Sequence, residues 1–148
     1  MRRYLLIIVF HLAGAWLSTA YAHGEKKDDA NVLEMHDLVG AWEIEGVFMG
    51  EGDNGWVLPH KQSAPDCGQD HSVFRTDHTG GEITFDENCN PIEKSFRWKL
   101  EGNTLTLERG GRSIKWHIQS LQEKSLRVGV QVRSDSESRV YVVYNKKE

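Results

Sequence analysis

Five stretches between Leu38 and Arg133 alternate apolar and polar residues with a period of two. That period restricts this part of the chain to β-strands with one buried face. In the first, Leu38, Gly40, Trp42, Ile44, Gly46 and Phe48 share a face, with Glu43 and Glu45 on the other. Phe96, Trp98 and Leu100 alternate with Arg97, Lys99 and Glu101, and Leu105 and Leu107 with Thr104, Thr106 and Glu108. Ile114, Trp116 and Ile118 alternate with Lys115, His117 and Gln119, and Leu126, Val128, Val130 and Val132 with Arg127, Gln131 and Arg133. A last run, Arg139 to Tyr144, is apolar on both faces. Ser72 to Thr76 and Glu82 to Asp86 bring the total to eight strands.

Turn signals fall between several of these runs: Glu101-Gly102-Asn103, Gly110-Gly111 and Ser134-Asp135-Ser136. Most connections are too short for a crossover helix, so neighbouring strands pair as antiparallel hairpins. An eight-stranded meander with one apolar face buries that face by closing into an up-and-down barrel, which also removes exposed edges. The expected class is therefore all-β. A two-sheet sandwich is the rival and calls for longer connections between the sheets. No internal repeat or low-complexity segment is visible.

The N-terminal region has a different character. Arg2 and Arg3 precede an apolar run from Leu5 to Leu17, which ends at Ala20-Tyr21-Ala22. A basic start, a short apolar segment and an A-x-A site describe a secretory signal peptide, residues 1–22, cleaved after Ala22. The run is shorter than the roughly 20 apolar residues of a membrane span. Residues 23–37 form a charged lead-in with a short helical turn, for which Asp28 or Asp29 is the expected N-cap. Residues 38–148 form the barrel domain. Without Arg2 and Arg3, the 18 basic residues fall to 16 against 22 acidic ones, a net of −6. An acidic exported domain is a poor partner for nucleic acid or an anionic membrane. Periplasm and medium both remain open as destinations, and the oligomeric state is not legible.

The only two cysteines, Cys67 and Cys89, flank the turn Asp77-His78-Thr79-Gly80-Gly81 almost symmetrically. Antiparallel pairing about that turn brings them to nearly opposite positions, and export favours their oxidation to a disulfide. A zinc site would need more ligands, with C-x-x-C or similar spacing, and a cysteine nucleophile would need a free thiol. His71 and His78 then lie at a strand end and in a turn. The long segment from Met49 to Asp66 carries Trp56-Val57-Leu58. This triplet reads either as a lid over a barrel mouth or as a short extra strand.

Leu38-Val39-Gly40-Ala41-Trp42 resembles the G-x-W signature that opens the first strand of lipocalins and of bacterial lipocalin-like domains. The cysteine pair around Phe74…Asp77…Gly80…Phe85 and the segment "WKLEGNTLTL" from Trp98 to Leu107 are similar to features of the bacterial group. The resemblance spans about Leu38 to Tyr144. It implies an eight-stranded barrel with Gly40 and Trp42 as structural residues at a closed end. It also implies an arginine stacked on the tryptophan, with Arg133 and Arg139 as candidates. Only Asn145 to Glu148 follow the last strand, where true lipocalins carry a helix. Many bacterial members have no assigned activity, so the resemblance transfers a fold more securely than a function.

With the apolar faces inward, the interior is expected to hold Trp42, Phe48, Phe74, Phe85, Phe96, Trp98 and Trp116, and no carboxylate, lysine or histidine. Acid–base catalysis needs converging titratable groups, so the expectation is a non-enzymatic protein. An apolar ligand pocket is compatible with this interior. Its candidate contacts are Phe48, Trp56, Phe74, Phe85, Trp98, Trp116 and Val130. The alternative is a solid-core structural or protein-interaction barrel in the cell envelope, since eight-stranded barrels are often filled by their own side chains. No cofactor is expected, and no resident metal. An N-terminal His23 exposed by cleavage would need a second histidine to hold copper. The loop Glu51-Gly52-Asp53-Asn54-Gly55 lacks the ligand spacing of a calcium site and reads as a polar turn.

Overall fold

The computed structural model describes residues 33–52, 54–133 and 137–148. The expected signal peptide, His23 and the expected N-caps Asp28 and Asp29 lie outside the described residues. Among those described, a four-residue helix, α1 (Met35–Leu38), leads into nine strands. They are β1 (Gly40–Glu51), β2 (Asn54–Pro59), β3 (His71–Phe74), β4 (Thr79–Phe85), β5 (Pro91–Glu101), β6 (Thr104–Arg109), β7 (Arg112–Gln122), β8 (Ser125–Gln131) and β9 (Arg139–Lys146).

All pairings are antiparallel. From β3 to β9 each strand pairs with the next, and β1 closes the ring against both β3 and β9. The result is the expected eight-stranded up-and-down barrel, with β2 added. β2 and β3 occupy the same edge of β1, at Gly46–Glu51 and Gly40–Glu43 respectively. The ladder continues across the gap between them. The His60 N–H donates to the Glu45 carbonyl (2.8 Å), and the Ile44 N–H donates to the Asp70 carbonyl (3.1 Å). β2 and β3 are thus one lane of the barrel, interrupted by a loop over residues 61–69 that leaves the wall and returns. Of the two readings of Trp56-Val57-Leu58, the strand is the one the structure adopts.

The two-residue turn between β6 and β7 follows from its glycines. Gly110 and Gly111 have φ of 55° and 75°, the pair of left-handed conformations that a tight hairpin with the right twist requires. Gly46 answers a different need. A Cβ there would lie 2.0 Å from the Leu58 carbonyl oxygen, so only glycine lets β2 approach β1.

A β-bulge beside Gly46 overturns part of the expected interior. Ile44 pairs with Tyr144, but Gly46 pairs with Val143, leaving Glu45 as the extra residue. One extra residue exchanges the two faces of a strand. Val47 therefore turns inward opposite Val142, and Phe48 turns outward opposite Tyr141. On the outer face the Arg127 guanidinium sits 4.0 Å from the Phe48 ring centroid. The apolar outer face of β9, Tyr141 and Val143, is explained by this patch.

Phe85 is the second correction. Gly80 lies between Phe74 and Phe96, both buried in the core, so Glu82 and Thr84 share its inward face. Ile83 and Phe85 point outward, and Phe85 packs beneath Gly68 and beside His71. The expectation that no carboxylate faces inward fails at the same place, because Glu82 does.

The core fills the closed end of the barrel. Leu38, Trp42, Phe74, Leu105, Ile118 and Leu126 are essentially inaccessible. Leu38 of α1 plugs this end, and its carbonyl accepts the Trp42 indole N–H at 2.8 Å. α1 is held by reciprocal bonds between Glu34 and Asp37, so its cap is Glu34. The cation over the Trp42 ring is neither Arg133 nor Arg139. It is Lys146, with its Nζ 5.2 Å from the centroid. Cys67 and Cys89 form the expected disulfide, which ties the inserted loop to the turn between β4 and β5.

Candidate functional site

The barrel's two ends differ. In the closed half, Phe74 packs edge-on against Trp98 (5.6 Å between centroids) and against Phe96 (5.5 Å). The Trp98 indole donates to the Thr79 carbonyl at 3.0 Å. Trp116 is buried further up, beside Tyr144 at 5.8 Å. Four of the candidate ligand contacts are therefore placed within reach of the lumen in different ways. Phe74 and Trp98 are committed to each other, Trp116 forms part of the floor of what remains, and Val130 packs on the core from the mouth side. Phe48 and Phe85 lie on the outer wall, and Trp56 sits on β2 at the mouth, on the face that continues the interior.

Above that floor the lumen is lined by two kinds of residue. One side is polar. Glu82 forms a partly buried ion pair with Arg109. Lys94 stands directly across from Glu82, and Arg112 directly across from Arg109. Ser72 is buried and hydrogen-bonded to the Tyr144 hydroxyl. Burial pushes the Tyr144 pKa up, and the nearby Glu82 charge adds to the shift. Tyr144 is therefore neutral at any physiological pH, a hydrogen-bonding group rather than a base.

The other side is apolar. Val47 pairs with Leu58, and Met49 with Trp56, on the face of the β1–β2 hairpin that continues the barrel's interior. Val130 and Val140 face each other across β8 and β9. Met49, Trp56 and Leu58 remain 44%, 59% and 48% exposed. Ile114 and Val140 are also partly open to solvent. Apolar side chains on an inward face are normally covered, and here they stand open to solvent.

The inserted loop is fixed around one carboxylate. Asp70 Oδ2 accepts from His60 Nε2 (2.9 Å), from the Ser63 hydroxyl (2.9 Å) and from the Ser63 N–H (3.0 Å). Burial alone would raise the Asp70 pKa, but the hydrogen bonds from His60 and Ser63 outweigh it and hold the pKa below the usual carboxylate range. A serine, a histidine and an aspartate here do not make a nucleophile relay. Both Ser63 and His60 donate to the same aspartate oxygen, whereas activation would need the histidine to take the serine proton. The cluster clamps the loop where it rejoins β1.

Sequence periodicity missed Glu82, Arg109, Ser72 and Tyr144 as a lumen cluster. The available signal was the frame Gly80-x-Glu82-x-Thr84, which shares its parity with the glycine under Phe96 rather than with Phe85. Among the described residues, no group of three or more histidine, cysteine, aspartate or glutamate side chains is placed to hold a metal, and no helix is long and apolar enough to cross a membrane.

The ring of strands and the single open end define a small up-and-down β-barrel, a type that either fills itself or holds one small ligand. The lipocalin-like domain family model matches residues 38–128, more than half of the chain, and the chain belongs to that family. A lipocalin-like protein from Bacteroides uniformis superposes with a TM-score of 0.52, at 11% identity, over 75% of this chain and 99% of its own. An uncharacterized protein from Bacteroides eggerthii gives a TM-score of 0.49 at 10% identity, over 74% of this chain and 99% of its own. No curated protein matches the chain in sequence.

Proposed function

We propose that this lipocalin-like barrel is an exported, non-enzymatic protein that binds a small hydrophobic molecule at its mouth rather than deep in its core. The observation that carries the reading is the apolar wall of Met49, Trp56, Leu58, Val140 and Ile114, inward in register yet open to solvent. Burying about 300 Å² of ligand surface there contributes several kcal/mol, at about 25 cal/mol per Å², which leaves roughly micromolar affinity after association costs. The polar side of the lumen, with Tyr144, Ser72 and the Glu82–Arg109 pair, supplies the few oriented groups such sites use. The disulfide fits an oxidising compartment, in line with cleavage after Ala22.

Titration with fatty acids, retinoids and hydrophobic dyes, followed by tryptophan emission and melting temperature, tests the binding. A ligand of the native state raises the melting temperature, and Leu58→Asp weakens its binding. If no member of the panel moves either observable well above micromolar concentration, the solid-core interaction barrel is the better reading. N-terminal sequencing of the exported protein, expected to start at His23, tests the processing.

A further inference from the structure

In the barrel wall, β5 and β6 part company. Their pairing ends at Arg97 and Glu108, after which β6 turns back through Gly110-Gly111 while β5 extends from Phe96 to Pro91 with only β4 beside it. The parting opens a cleft of about 710 Å³, floored by Phe96 and Gly80. Four arginines line it, Arg75, Arg97, Arg109 and Arg112, against one carboxylate, Glu108. The chain as a whole carries a net charge of −4, so this concentration of positive charge runs against its composition.

The four are not equivalent. Arg75 pairs with Glu93 at 3.0 Å, and Arg109 pairs with Glu82. Arg97 and Arg112 are exposed and form no ion pair among the described residues. Arg112 also stands directly across the hairpin from Arg109, an arrangement in which like charges repel. An anion in the cleft would relieve that repulsion. Ser95 and Ser113 add hydroxyls to the lining, and the free edge of β5 adds backbone groups.

We propose that this cleft binds an organic anion carrying two or more carboxylate or phosphate groups. Guanidinium groups bind both through paired N–H donors. A volume of this size suits a small organic molecule rather than a lone inorganic ion. The cleft shares Arg109 and Arg112 with the polar side of the lumen, but Arg75, Arg97, Ser95 and Ser113 belong to it alone, and small hydrophilic anions probe it without engaging the apolar wall.

Isothermal titration calorimetry with citrate and with inorganic pyrophosphate tests the proposal, with glucose as the neutral control. At least one anion binds saturably, and binding weakens as ionic strength rises. Binding of citrate alone assigns the cleft to carboxylates, and binding of pyrophosphate alone assigns it to phosphates. Arg97→Ala and Arg112→Ala each weaken binding about tenfold, and the double variant shows none. Arg133→Ala, outside the cleft, leaves binding unchanged, and circular dichroism verifies that each variant is folded. No saturable binding of either anion, or undiminished binding by the folded double variant, overturns the proposal.

Discussion

The closed half of the barrel and its mouth are built from the same alternating strands but are put to opposite uses. In the closed half, Leu38, Trp42, Phe74, Trp98 and Leu105 fill the space between strands, and the Trp42 and Trp98 indole N–H groups each donate to a carbonyl. At the mouth, side chains on the same inward register meet solvent, and the inward Glu82 is paired with Arg109. The difference comes from two local departures. The bulge at Glu45 turns Val47 in and Phe48 out, and the lane shared by β2 and β3 lets the β1–β2 hairpin run past the rest of the wall. The first half is closely packed, and the second leaves apolar side chains open to solvent.

That division is broken most directly by substitution at the closed end. Trp42→Ala removes a fully buried indole and its hydrogen bond, and is expected to cost about 4 kcal/mol in urea denaturation. Trp56→Ala at the mouth removes an aromatic of the same size but is expected to change stability by less than about 0.5 kcal/mol. Equal losses would mean that the mouth is as tightly packed as the closed end.

The junction of the two halves should respond to an intermediate degree. Reducing the disulfide, or Cys67→Ala, frees the inserted loop and is expected to lower stability by about 3 kcal/mol, read as a lower melting temperature with strand content intact. Asp70→Asn removes the charge that three donors share, with an expected loss of about 2 kcal/mol at neutral pH. The Asp70 pKa is lowered in the folded protein, so its contribution is present above the ordinary carboxylate range. It is lost as pH falls through the folded value. The gap between wild type and Asp70→Asn should therefore be constant near neutrality and narrow in acid; a gap that widens on acidification would contradict the charge assignment.

Most of the barrel was legible because period two is a direct readout of a half-buried strand. Strands such as Trp98–Leu100 and Leu105–Leu107 keep one phase, and their inward residues are those the alternation names. Periodicity fails where the phase changes or where a residue of the wrong polarity faces in. The bulge at Glu45 has no marker beyond Gly46, so alternation alone places Phe48 in the interior. Phe85 outshone its neighbours in hydrophobicity, and only the packing of Phe74 and Phe96 on Gly80 shows that Glu82 has the inward phase. The disulfide was legible from the spacing of Cys67 and Cys89 about the turn. The arginine cleft was not, because it depends on where two strands separate in space.

The central claim is that ligand enters the mouth and stops above Trp116. Methyl NMR during titration with the tightest-binding fatty acid or dye tests it, because each half carries its own reporters. The expected result is saturable shifts at Leu58, Ile114, Val130 and Val140, with Leu105, Ile118 and Leu126 unmoved. Shifts concentrated at Leu105, Ile118 and Leu126, or none at the mouth methyls under saturating ligand, would contradict it.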